Sequence, residues 1–87
     1  MPKHTQNAIG PQLARHRNSL SMSQADFSAH CQRLGWDISR ETLAKIESGI
    51  RCVTDVELTQ ISKALKIAIP SLFPASKQYL FLNERKS

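Results

Sequence analysis

The 87-residue sequence predicts an all-α fold, and three observations carry that prediction. Hydroxyl residues stand at helix-start positions before apolar runs, at Ser23, Ser39 and Thr54; two of them open capping boxes, Ser23-Gln24-Ala25-Asp26 and Thr54-Asp55-Val56-Glu57. Behind each start, apolar residues recur at three- and four-residue spacing. Gly35 and Gly49 follow the ends of two of these runs, where a left-handed residue closes a helix.

Taken in order, residues 1–7 are mostly polar, contain Pro2 and read as a flexible, frayed arm; the alternative is an arm that reaches DNA phosphates through Lys3 and His4. Residues 8–74 form the folded domain. Helix 1 begins near Ile9, with Pro11 tolerated in its first turn, and carries Ile9, Leu13, His16 or Arg17, and Leu20 at helical spacing. Helix 2 spans about Gln24 to Leu34, with Phe27, Cys31 and Leu34 on one face. Gly35-Trp36-Asp37 connects it to helix 3, which Ser39 caps and Ile38 staples onto Leu43. In helix 3, Leu43, Ile46 and Glu47 face inward, while Arg40, Glu41, Ala44, Lys45 and Ser48 face outward. Helix 4 runs from Thr54 to about Lys66 on Leu58, Ile61 and Leu65, with Val53 stapled onto Leu58. Pro70 opens a short helix 5 and Pro74 ends it. Residues 75–87 form an extension in which Tyr79-Leu80-Phe81-Leu82 is too apolar for a solvated tail. Periodicity leaves it open as strand, helical turn or docked segment, and it is a candidate dimerisation surface.

Composition narrows the function. Twelve Lys and Arg against seven Asp and Glu give a net charge of +5, and the pI is about 9.7, which suits an anionic partner. Cys31 and Cys52 have no His or second Cys at metal-ligand spacing, so both are read as reduced thiols and no metal is expected. No signal-peptide core and no apolar run near the roughly 18 residues of a membrane span are present, which predicts a cytoplasmic protein without a membrane partner. No nucleophile-base motif or phosphate-binding loop occurs, so neither an enzyme, a cofactor nor a small-molecule ligand is expected.

The ordered set Ile9-Gly10, Arg17, Ser23-Gln24, Ile38-Ser39-Arg40, Ile46-Glu47-Ser48-Gly49 and Leu65 through Leu72-Phe73 resembles the phage-repressor and Cro helix-turn-helix domains of the XRE family. The resemblance implies a compact five-helix, lambda-repressor-like DNA-binding domain in which helices 2 and 3 form the helix-turn-helix. In that family helix 3 enters the major groove and the start of helix 2 meets the backbone. Position by position, it implies that Gln24 contacts phosphate and braces base-reading side chains, and that Arg40, Glu41 and Lys45 read bases beside Ala44. It also implies that Arg51 contacts phosphate and that Arg17 and Glu47 form a structural ion pair. Two departures stand out: the stretch from Gln24 to Ser39 is longer than the family's, and Lys66 stands where glycine is common.

The side chains suit those roles. Arg40 can fork onto guanine O6 and N7, Lys45 onto guanine or a phosphate, and Glu41 can accept from cytosine N4 or favour the helix start by its charge. Ser39 is first a cap, Thr42 can meet a thymine methyl or a phosphate, and Ser23 with Gln24 places donors at a helix N-terminus. The expected function is a sequence-specific, double-stranded DNA-binding transcriptional regulator, a repressor acting as a homodimer. The alternative is a protein-interaction module or toxin-antitoxin component that keeps the fold without binding DNA independently.

Overall fold

The computed structural model describes residues 7–74, and within them the chain forms four α-helices and a 3-10 turn. These are α1 (Gly10–Ser19), α2 (Gln24–Arg33), α3 (Arg40–Glu47), α4 (Asp55–Leu65) and the turn Ile69–Leu72. Both capping boxes form: Ser23 Oγ accepts from Asp26 N while Asp26 returns to Ser23 N, and Thr54 and Glu57 do the same at α4. Ser39 caps α3 by accepting from Thr42 N at 3.1 Å. Gly49, at φ +83°, follows Ser48 and closes α3 in the left-handed region.

The core joins all five elements: Ile9 and Leu13, Phe27 and Cys31, Ile38, Leu43 and Ile46, Ile61, Ala64 and Leu65, and Leu72. Helix α3 packs on α1 and α2, and α4 closes the other side against α1, α2 and the 3-10 turn. His16 and His30 add polar ties, their Nε2 atoms lying 3.2 Å from the Ser71 carbonyl and 3.0 Å from the Ala64 carbonyl.

Four expectations change. The fifth helix is a four-residue 3-10 turn, Ile69–Leu72, and Pro74, which has no N–H to donate, bars its continuation. Leu34, the C-cap residue of α2, is 51% exposed at the last turn, and Ile38 from the connection is the residue that enters the core. Leu20, likewise a C-cap residue, is 47% exposed. Asn7, expected at the end of a loose arm, is part of the fold. Its Oδ1 accepts from Ile9 N and Gly10 N at 3.0 and 2.8 Å, and its Nδ2 donates to the carbonyls of Ile46 and Arg51. The remainder of the arm and the Tyr79–Leu82 stretch lie outside the described residues.

The long stretch before Ser39 resolves into a ten-residue α2 and a tied-down connection over 34–39. Gly35, at φ +96°, turns the chain, and the N–H groups of Gly35 and Trp36 return to the Gln32 and Cys31 carbonyls. Trp36 packs half-buried against the core. The Ile38 carbonyl, one residue before the α3 cap, accepts from both Ser28 Oγ at 2.6 Å and Gln32 Nε2 at 3.0 Å. Two side chains of α2 thus set where α3 begins.

Candidate nucleic-acid interface

The two faces of α3 are strongly unequal. Leu43 and Ile46 have no exposed surface, whereas the Arg40 and Glu41 side chains are 57% and 73% exposed, and Lys45 is also exposed. Arg40, Ala44, Glu41 and Lys45 fall on one outward arc at 100° per residue. Arg40 Nη2 lies 3.9 Å from Glu41 Oε2, too far for a hydrogen bond, so both groups keep their donors and acceptors available on that arc. Ser39 and Thr42 are paired, hydroxyl to hydroxyl at 3.0 Å, at the helix start.

What holds this arc in place is a buried polar hub on the inward side of α3. Glu47 receives Arg17 Nε at 2.7 Å, Arg17 Nη2 at 3.0 Å and Gln24 Nε2 at 3.0 Å. Arg17 also donates from Nη1 to the Met22 carbonyl at 2.7 Å and to Asn18 Oδ1 at 3.2 Å. One carboxylate therefore joins α1, the start of α2 and α3, and its hydrogen bonds raise the Arg17 guanidinium further above its ordinary range. Breaking such a pair by removing one partner costs roughly 3 to 5 kcal/mol, because a buried charge is left alone. The Gln24 amide nitrogen is turned toward this hub, while Ser23 remains exposed at the same helix start.

At this same C-terminal end of α3 the backbone of α1 comes unusually close. A Cβ added to Gly10 would lie 2.6 Å from the carbonyl oxygens of both Ile46 and Glu47, so only glycine fits there. Beyond Gly49, Arg51 is held by Glu57 of α4, Nη1 to Oε1 at 2.9 Å and Nη2 to Oε2 at 2.8 Å, and Nη1 also donates to the Cys52 carbonyl. Those hydrogen bonds are the main reason the Glu57 carboxyl sits below its usual range. The structure therefore sorts the cations of this region. Arg40 and Lys45 stand out from α3, Arg17 is internal, and Arg51 is anchored with its side chain 36% exposed. In the sequence Glu57 reads as a cap residue and Arg51 has no evident partner, since a pair six residues apart across a loop has no periodic signal. Among the described residues no group of His, Cys, Asp and Glu could hold a metal ion, and no helix is long and apolar enough to cross a membrane.

No curated protein matches the chain in sequence. Solved structures do match in fold. An HTH_3 family transcriptional regulator from Vibrio cholerae superposes with a TM-score of 0.70 at 24% identity, over 87% of this chain and 39% of that one. Apo-HppE gives 0.67 at 22% identity over 82% and 37%. The DNA-binding domain of BldD gives 0.68 at 18% identity, over 85% of this chain and 100% of the domain. The chain thus spans less than half the length of the first two and the whole of the third. A family model described as helix-turn-helix matches residues 13–72, from the middle of α1 into the 3-10 turn. With that match over most of its length, the chain belongs to the helix-turn-helix family of DNA-binding domains.

Proposed function

We propose that the protein is a sequence-specific transcriptional regulator, a repressor that binds double-stranded DNA as a homodimer, with α3 in the major groove. The observation that carries this reading is the division of α3 into a fully buried face and an outward arc bearing Arg40, Glu41, Ala44 and Lys45. A helix anchored on one side and polar on the other is what a groove about 12 Å wide admits. Arg40 reads a guanine, Lys45 contacts guanine or phosphate, and Glu41 accepts from cytosine or orients its basic neighbours. Ser23, Gln24, Ser39, Thr42 and Arg51 contribute to backbone contact. The net charge of +5 supplies the long-range attraction. One helix reads too few base pairs for selectivity in a genome, so two copies place their third helices about 34 to 36 Å apart on a palindromic site.

Selection of bound sequences from a random duplex pool tests this directly: a symmetric motif with two half-sites one helical turn apart is expected. On that motif Arg40→Ala should cost about 1 to 3 kcal/mol and relax preference at one position. Equal losses on selected and unselected DNA would move Arg40 to the backbone. A monomer in sedimentation, both free and on DNA, would remove the dimer. Absence of any binding at low salt would turn the reading toward a protein-interaction module.

A further inference from the structure

We propose that Glu57 is the positioning residue for Arg51, holding its guanidinium so that one edge is presented to a DNA phosphate. This rests on the DNA-binding reading above and deepens it. The argument comes from the contrast between two Arg–Glu pairs. Arg17 spends the edge formed by Nε and Nη2 on Glu47, gives Nη1 to two further acceptors, and has a side chain only 10% exposed. Four of its five N–H donors are used inside the protein.

Arg51 is bound the other way round. Glu57 takes the end edge, Nη1 and Nη2, and the Cys52 carbonyl takes the remaining hydrogen of Nη1. The Nε–H and the second Nη2–H, which run parallel along the adjacent edge, have no hydrogen-bond partner among the described residues. The Arg51 side chain is 36% exposed against 16% for Glu57, so of the two partners it is the arginine that solvent reaches more. Two parallel N–H donors at an exposed site match two oxygens of one phosphate.

Glu57 is well placed to hold that orientation because it is itself fixed. Its Oε1 accepts from Thr54 N at 3.1 Å and its own N–H donates to Thr54 Oγ1 at 3.1 Å, so the carboxylate belongs to the first turn of α4. The Arg51 backbone is fixed from the opposite side, where Asn7 Nδ2 donates to its carbonyl at 2.7 Å. A long side chain restrained at both ends loses its rotamer freedom on folding instead of on binding. The inference has a sign that separates it from simple electrostatics. Removing a carboxylate near DNA should strengthen binding if charge alone matters, and should weaken it if the carboxylate aims Arg51.

The test is salt-titrated binding of a mixed-sequence duplex by the full chain and by Arg51→Ala, Glu57→Ala, Glu57→Gln, Thr54→Ala and the Arg51→Ala/Glu57→Ala pair, with folding checked by circular dichroism. Wild-type binding that weakens steeply with salt establishes the underlying reading, and no binding at low salt overturns both. Given binding, Arg51→Ala should lower affinity and reduce the salt slope by about one. Glu57→Ala should weaken binding roughly two- to tenfold, and have no effect in the Arg51→Ala background. Glu57→Gln, which keeps one acceptor for Arg51, should recover part of the loss. Thr54→Ala, which removes the cap hydroxyl but keeps both the backbone Thr54 N–H bond to Glu57 Oε1 and the Arg51–Glu57 pair, should bind as wild type does. The inference is overturned if Arg51→Ala leaves binding unchanged, if Glu57→Ala binds as well as or more tightly than wild type, or if its loss persists without Arg51.

Discussion

Two single residues carry backbone conditions that composition does not reveal. Gly10 stands where α1 crosses the end of α3, with two carbonyl oxygens 2.6 Å from the place a Cβ would occupy. Those oxygens belong to rigid helix backbone and cannot rotate aside. Gly10→Ala should therefore cost about 1 to 3 kcal/mol in urea denaturation, although alanine is intrinsically the better helix former. Lys66 presents the reverse case. It caps α4 in the left-handed region at φ 58° and ψ 44°, where an L side chain is penalised by roughly 1 to 2 kcal/mol. Lys66→Gly removes that penalty but adds freedom to the unfolded chain, so a net gain of about 1 kcal/mol is expected in the same measurement. A loss would mean that the exposed lysine makes a contribution its backbone conceals.

Among the elements, the connection between α2 and α3 governs how α3 is presented. Its last carbonyl before the cap, that of Ile38, is bound by two donors from α2. Either donor alone keeps that carbonyl satisfied, while losing both leaves a polar group beside the core without a partner. Ser28→Ala and Gln32→Ala should each cost well under the roughly 1 to 3 kcal/mol expected for an orphaned group, and the double variant should cost more than their sum. Simple additivity would show that the two bonds act independently and that the start of α3 is fixed elsewhere, for instance by Trp36.

Across the whole molecule, the Arg17–Glu47–Gln24 hub makes three helices depend on one carboxylate. Glu47→Ala leaves the Arg17 charge buried and should remove roughly 3 to 5 kcal/mol, a large share of what a domain this small possesses. Cys31 offers a direct readout. Its side chain is fully buried and burial pushes the thiol up to about 11, so in the native protein it is both shielded and protonated, whereas Cys52 is exposed. Thiol labelling of Cys31 should therefore report global opening, and its rate should rise steeply in Glu47→Ala while that of Cys52 stays nearly constant. Unchanged Cys31 labelling would show that the hub is dispensable for stability.

Helix starts and the family resemblance are legible in the linear chain, because capping boxes, staples and apolar spacing act within a few residues. Ser23, Ser39 and Thr54 all cap as their local sequence predicts. The same locality explains what could not be read. Leu34 keeps its helical spacing yet is exposed at the end of α2, and Asn7 clamps carbonyls that lie about forty residues away. Most consequential is the sorting of charges. Arg17, Arg40 and Arg51 are chemically alike in the sequence, and only the packing of α1, α3 and α4 makes the first internal, the second outward and the third anchored with one edge open. Which arginines can meet a phosphate or a base depends on where the carboxylates of other elements come to rest, and that is set by the core that brings those elements together.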